Sequence, residues 1–225
     1  HNQSRRQRQM CIRDRVYFLR EMLASKGETI EGKTCAISGS GNVAQYCAQK
    51  VLGYGGKVIT MSDSGGYIFD KEGINESKLD WIMNLKNNRR GRIKEYVKEY
   101  PGAVYHEGKR PWGEVCDVAL PSATQNEIEV EGATNLVKNG CMAISEGANM
   151  PTSPEAYTIL SDAEVLFGPA KAANAGGVAV SALEMSQNAS FDEWTSKKVD
   201  SKLDQIMTGI HTVSYTHLTL PTTLV

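Results

Sequence analysis

Short apolar runs and helical apolar stripes alternate along this chain. The run Thr34-Cys35-Ala36-Ile37-Ser38 enters Gly39-Ser40-Gly41-Asn42-Val43-Ala44, and apolar positions then recur at helical spacing over residues 43–52 until Gly53. The pattern predicts a buried strand, a glycine turn and a helix. Ahead of it, Val16, Phe18, Leu19, Met22 and Leu23 predict a helix over residues 16–26, with Gly27 as its stop. Residues 57–61 read as a second strand. Tyr67-Ile68-Phe69, bracketed by Gly65-Gly66 and Lys71-Glu72-Gly73, reads as a short hairpin excursion. Two helices follow, over residues 77–87 and 91–100, and Pro101-Gly102 ends the second.

The second half alternates again. Residues 103–105, 116–120, 141–144 and 165–167 are strand candidates. Val130, Ala133, Leu136 and Val137 form one helical face, and Pro154 sits where a first helical turn tolerates it, opening a helix that reaches Leu160. A last helix over residues 196–211 places Val199, Leu203, Ile206, Met207 and Ile210 on one stripe. Short apolar strands alternating with helices predict an α/β fold: a Rossmann-like, mostly parallel sheet with helices on both faces. No tandem repeat or low-complexity linker interrupts residues 16–211, which are read as one domain.

The glycine turn carries the first chemical signal. Gly39 permits a tight turn, Gly41 has no side chain to hold a pyrophosphate away, and Ala44 lets the helix approach the strand. Amides that open a helix lack intrahelical partners and attract an anion. Asp63, at the end of the second strand, lies near the distance at which an acidic residue meets a nucleotide ribose. In an open parallel sheet, ligands bind outside the strand carboxyl ends. Four segments lie there: residues 62–64, 121–126, 145–152 and 168–177, all rich in amides, hydroxyls or glycine. Helix caps and turns use the same residue types, but four such segments along one sheet edge favour a ligand.

Composition narrows the partners. The 225 residues carry a formal net charge of -1, with 40% hydrophobic and 23% charged residues, so no bulk attraction to nucleic acid or membrane is expected. Phosphate binding must be local. The five cysteines form no C-x-x-C pair and lie mostly in apolar runs, which reads as reduced thiols in a cytoplasmic protein. The four histidines stand apart, without zinc spacing. No apolar run approaches the length of a membrane span. At the ends, the arginine-rich residues 1–15, with the string MCIRDR, and residues 212–225, ending in VSYTHLTLPTTLV, resemble translated adapter sequence. They are read as an arm and a tail foreign to the fold.

The strings GSGNVAQYCAQK, SDSGG, PSATQNE, EGANMPT and GPAKAANAGGVAVSALEMSQN resemble the cofactor-binding, carboxyl-terminal half of hexameric glutamate dehydrogenases, in order and in spacing. The resemblance covers nearly all of residues 16–211. It implies reversible oxidative deamination of L-glutamate to 2-oxoglutarate and ammonia with a nicotinamide cofactor. It places Gly39, Ser40, Gly41, Asn42 and Val43 on the pyrophosphate and nearby ribose, and Ala123, Thr124 and Gln125 along the nicotinamide ribose. Asn149 and Asn174 would reach toward the nicotinamide, and Val178 and Ser181 toward the side-chain carboxylate of glutamate. Ser122 stands where the family often has cysteine, and Ala182 where glycine is usual. The glycine-rich segment with the catalytic lysine and the proton-shuttling aspartate of the family's other domain have no counterpart here. The chain is therefore expected to be an inactive, nucleotide-binding fragment, with the family hexamer assembled mainly through the other domain.

For the choice of cofactor, Asp63 suits the ribose hydroxyls of NAD. A 2′-phosphate about 4 Å away would meet a repulsion on the order of 4 kcal/mol at an effective dielectric near 20. Lys86, Arg89, Arg90 and Arg92 lie where they can compensate, and Ser64 adds a hydroxyl. The same cations also read as a solvated helix end, favoured by the helix dipole. The SDS string with this basic cluster resembles NADP-preferring members, so NADP is expected, with NAD as the alternative. Leucine, valine and phenylalanine dehydrogenases share the architecture, and Ser181 argues for a carboxylate partner over an apolar one. A nucleotide-binding module without chemistry is the reading from a different class.

Overall fold

The computed structural model describes residues 14–173, 175–190 and 194–219. The chain opens with helix α1 (Asp14–Ala24), strand β1 (Thr34–Ile37), helix α2 (Asn42–Gly53) and strands β2 (Lys57–Asp63) and β3 (Gly66–Phe69). Helix α3 (Glu76–Asn87), a 3-10 turn (Ile93–Glu95), the single-turn helix α4 (Tyr96–Glu99) and strand β4 (Val104–Glu107) follow. After a 3-10 turn at Pro111–Gly113 come β5 (Val118–Leu120), α5 (Val130–Lys138), β6 (Ala143–Ser145), α6 (Pro154–Asp162) and β7 (Leu166–Gly168). Helices α7 (Ala170–Ala173), α8 (Gly176–Ser190) and α9 (Ser196–Thr219) close the chain.

The seven strands form one sheet in the order β4-β3-β2-β1-β5-β6-β7. β2, β1, β5, β6 and β7 are mutually parallel; β3 is antiparallel to both β2 and β4. Two reversals restore direction, so β4 points the same way as β1 and ends at the same edge. The expected mostly parallel sheet is borne out. The chain steps outward from β1 to β4 and then returns to β5 on the other side of β1, which puts the change of winding direction between β1 and β5.

Period-2 alternation sends successive strand residues to two separate cores. Cys35, Ile37, Val58, Met61, Val118, Leu120 and Ala143 pack on one face with α1, α2 and α3. Ala36, Ile59, Ala119 and Ile144 pack on the other with Trp112, Ala133, Leu136, Ala156 and Leu160. Helix α1 is buried almost all round, with Val16, Tyr17, Phe18 and Leu19 each at most 2% exposed. It lies against β6, β7 and α9.

Several sequence expectations need correction. Helix α1 begins at Asp14, and Arg15 is buried, its Nη1 donating to the Gly147 carbonyl at 2.9 Å. The boundary drawn at residues 15–16 therefore falls inside a packed helix. Helix α9 runs on past residue 212 to Thr219. The helix expected over residues 91–100 is only a 3-10 turn and one α turn. The segment after β7, for which no helix was expected, holds α7 and the start of α8. Its opening amide, Ala170 N–H, donates to Glu146 Oε2 at 2.7 Å, a cap supplied 24 residues away that no local pattern reveals.

Candidate functional site

At the carboxyl ends of β1 and β5, a cleft of about 650 Å³ opens. It is built on the turn after β1. Gly39 adopts φ +82, and a Cβ there would lie 2.9 Å from the Ser122 carbonyl oxygen and 3.3 Å from Ala123 Cα, so only glycine fits between the two crossing loops. Gly39 N–H donates to Ser62 Oγ at 2.6 Å, and Ser62 N–H returns a bond to the Gly39 carbonyl at 3.0 Å. Gly41 is the N-cap of α2 and supplies no side-chain acceptor to the first amides. A Cβ at Gly41 would meet nothing within 4 Å, so the helix start faces open space. Ser40, Asn42 and Val43 complete this wall of the cleft.

The loops along this edge are bonded to one another. Ser122 N–H donates to Ser38 Oγ at 2.8 Å, and Ser122 Oγ donates to the Leu120 carbonyl at 3.0 Å. Gly147 and Ala148 N–H both donate to the Pro121 carbonyl, at 2.8 and 2.9 Å. Asn126 N–H donates to the Met150 carbonyl at 3.1 Å, which brings the 123–126 loop beside the loop that carries Asn149. Glu146 N–H bonds the Gly168 carbonyl at 3.0 Å, extending the chain of contacts to β7.

Asp63 lines the cleft but is already engaged. Its Oδ1 accepts from Gly65 N–H at 2.9 Å; its Oδ2 accepts from Ile93 N–H at 2.9 Å and from Lys86 Nζ at 3.4 Å. Its side chain is 8% exposed. Burial, the largest influence, pushes the carboxyl up, but the two amides and the Lys86 ammonium outweigh it and hold the group below the ordinary carboxylate value. Lys86 also donates to the Gly91 carbonyl at 3.0 Å. Arg92 Nη1 donates to Ser64 Oγ at 2.7 Å. Of the basic cluster, Lys86 and Arg92 line the cleft, whereas Arg89 turns to Glu95 at 3.1 Å.

Ten of the anticipated residues share this one cleft: Gly39, Ser40, Gly41, Asn42, Val43, Asp63, Ser64, Lys86, Ala123 and Thr124. Gln125 and Asn149 are exposed on adjoining loops outside its lining. Ser181 is exposed on α8; the Val178 side chain and all of Asn174 lie outside the described residues. Sequence reasoning passed over Lys109, Arg110, Pro111 and Glu127, which also line the cleft. Glu127 is buried, and its Oε1 accepts from Ala123 and Thr124 N–H at 3.0 and 3.3 Å. Burial pushes its carboxyl above the ordinary value, against the opposing bonds from Ser38, Ala123 and Thr124. Its signal was an acidic residue three positions beyond Thr124, the spacing at which a side chain reaches back to a turn. Among the described residues no group of three or more His, Cys, Asp or Glu is disposed to hold a metal ion, and no helix is long and apolar enough to cross a membrane.

Comparison with known proteins shows what the whole chain is similar to. The chain is 59% identical over 196 residues to a glutamate dehydrogenase of Bacteroides thetaiotaomicron, an alignment that covers 87% of this chain and 44% of that one. It is 52% identical over 196 residues to an NADP-specific glutamate dehydrogenase of Haemophilus influenzae, covering 87% and 43%. Other relatives are named NAD(P)-specific and NAD-specific. Among solved structures, glutamate dehydrogenase 2 of Plasmodium falciparum superposes with a TM-score of 0.89 at 46% identity, over 92% of this chain and 45% of that one. The chain thus spans less than half the length of the relatives it matches. The profile of the glutamate/leucine/phenylalanine/valine dehydrogenases matches residues 4–221, and the chain belongs to that family.

Proposed function

We propose that this chain is the NADP-binding half of a glutamate dehydrogenase, an oxidoreductase that interconverts L-glutamate with 2-oxoglutarate and ammonia. The observation that carries the reading is the pairing around Asp63. A free carboxylate at the end of β2 would repel a 2′-phosphate, but Asp63 is neutralised by Lys86 at 3.4 Å and saturated by two amides. Arg92, held on Ser64 Oγ at 2.7 Å, leaves the rim beside that serine cationic. Phosphate recognition by a guanidinium and a hydroxyl follows.

The open face over Gly41 and the uncapped start of α2 fit a pyrophosphate. In this reading the backbone of Gly39, Ser40, Gly41, Asn42 and Val43 grips the diphosphate, and Ser64, Lys86 and Arg92 read the 2′-phosphate. Ala123, Thr124 and Gln125 position the nicotinamide ribose, Asn149 and Asn174 orient the carboxamide, and Val178 and Ser181 face the distal carboxylate of the amino acid. When bound, the nicotinamide supplies the hydride donor or acceptor. The carboxylates in the cleft lining, Asp63 and Glu127, are both committed to backbone amides. Hexameric assembly and a cytoplasmic location belong to the same proposal; that Cys35, Cys47, Cys116 and Cys141 are all buried and none is in a disulfide supports a reducing compartment.

Calorimetric titration of the chain with each nucleotide tests the reading. NADP is expected to bind at least about tenfold more tightly than NAD, a difference of roughly 1.4 kcal/mol. Equal affinities would return the choice to NAD, the alternative cofactor, and absence of binding by both would overturn the proposal.

A further inference from the structure

Four cations line the cleft: Lys86, Arg92, Lys109 and Arg110. Three are engaged. Lys86 bonds Asp63 and the Gly91 carbonyl, and Arg92 bonds Ser64. Arg110 Nη1 donates to the Asn126 carbonyl at 2.8 Å and lies 3.8 Å from Glu129. Lys109 is exposed and makes no hydrogen bond or ion pair among the described residues.

The backbone that carries Lys109 is nevertheless fixed. Glu107, the last residue of β4, pairs with Gly66, and Gly108 N–H donates to the Gly65 carbonyl at 2.8 Å. Lys109 therefore leaves the sheet one residue beyond a bond to the turn that presents Ser64. Arg92, which precedes the 3-10 turn at Ile93–Glu95, donates to Ser64 and lines the same cleft as Lys109. The glycine turn that faces a diphosphate lies across β2 from this point. An ammonium on a flexible stem, anchored at its Cα and uncommitted at its tip, is suited to close on a phosphate after the phosphate arrives.

We propose that Lys109 is a specificity-determining residue for the 2′-phosphorylated nucleotide, gripping the 2′-phosphate from the end of β4 together with Arg92. The inference rests on the NADP reading and adds a residue to it. Arg110 serves as its brace, tying the Lys109 loop to the 123–126 loop.

The test uses the full chain and its Lys109→Ala and Lys109→Arg variants, titrated calorimetrically with NADP, NAD, adenosine 2′,5′-bisphosphate and 5′-ADP. Because Lys109 is exposed, both variants are expected to retain the wild-type thermal midpoint. In Lys109→Ala, affinity for NADP and for the 2′,5′-bisphosphate is expected to fall about tenfold, while NAD and 5′-ADP change by less than about twofold. Lys109→Arg is expected to restore most of the loss. If wild type prefers NADP and Lys109→Ala keeps that preference, the inference falls and the cofactor reading stands. An equal loss for all four ligands would assign Lys109 to the shared 5′-phosphates and also overturn it. A wild-type chain without preference for NADP would sink both.

Discussion

Gly39 and Gly41 are two residues apart, yet replacing each by alanine should have opposite consequences. At Gly39 an L-residue must hold φ +82, at a cost of roughly 1–2 kcal/mol. The new Cβ also meets three backbone atoms of the Ser122–Ala123 loop, at 2.9, 3.3 and 3.3 Å. Backbone cannot rotate aside as a flexible side chain does, and overpacking of this kind costs a further ~1–3 kcal/mol. The sum, on the order of 2–5 kcal/mol, is a large share of the stability of an ordinary domain. At Gly41 the added methyl touches nothing within 4 Å, and the backbone is already extended at φ -79, ψ -174. Loss of the N-cap preference for glycine over alanine costs up to about 1 kcal/mol. That methyl would instead stand where a diphosphate must approach the helix amides. Urea denaturation and nucleotide titration on the same preparations separate the two effects. Gly39→Ala should lower the denaturation midpoint strongly, and Gly41→Ala should barely move it while weakening NADP and NAD alike by about tenfold or more. A Gly39→Ala chain as stable as wild type to within about 0.5 kcal/mol would refute the argument from close approach.

Two carboxylates should leave opposite signatures in stability against pH. The folded-state pKa of Asp63 is depressed, so its contribution is present above the unfolded value near 3.9 and is lost as pH falls through the folded value. Asp63→Asn should flatten that acid limb and cost about 2–4 kcal/mol at pH 7, since Lys86 loses its partner; an unchanged limb in denaturation from about pH 2 to 6 would contradict this. Glu127 is raised by burial, so its contribution is full below the unfolded value near 4.3 and declines as pH rises through the folded one. Glu127→Gln keeps an acceptor for the Ala123 and Thr124 amides and should remove the decline, while Glu127→Ala leaves both amides orphaned and costs about 1–3 kcal/mol for each. Equal stability of the two variants at pH 7 would show that the amides do not depend on this side chain.

The strand, glycine turn and helix at residues 34–53 were legible because local rules suffice there: the change of hydrophobic period and the glycine spacing are both short-range signals. What stayed hidden depends on partners far along the chain. Asp63 looked like a free ribose acceptor, and only the folded chain brings Ile93 N–H, 30 residues on, to its Oδ2. Glu146 looked like part of a loop until its contact with Ala170 made it the cap of α7. Arg15 sat in a string that lacked apolar periodicity, and its burial against Gly147 links positions 132 residues apart.

The omission of Lys109 and Arg110 has a more specific cause. The rule that ligands sit beyond strand carboxyl ends was applied to the segments after β2, β5, β6 and β7, and it applies equally after β4. Whether a strand ends at the ligand edge depends on its direction, and sequence pattern does not encode direction. One antiparallel step, β2 to β3, is announced by Gly65-Gly66 and would by itself turn the chain away from the cleft. The second, β3 to β4, passes through α3 and α4, so no hairpin turn signals it. Together they return Gly108-Lys109-Arg110-Pro111 to the same edge, where these residues line one cleft with Ser64 and Arg92. The antiparallel excursion thus extends a parallel sheet by two strands without losing the shared edge, and it delivers two cations to a site whose glycine turn has none of its own.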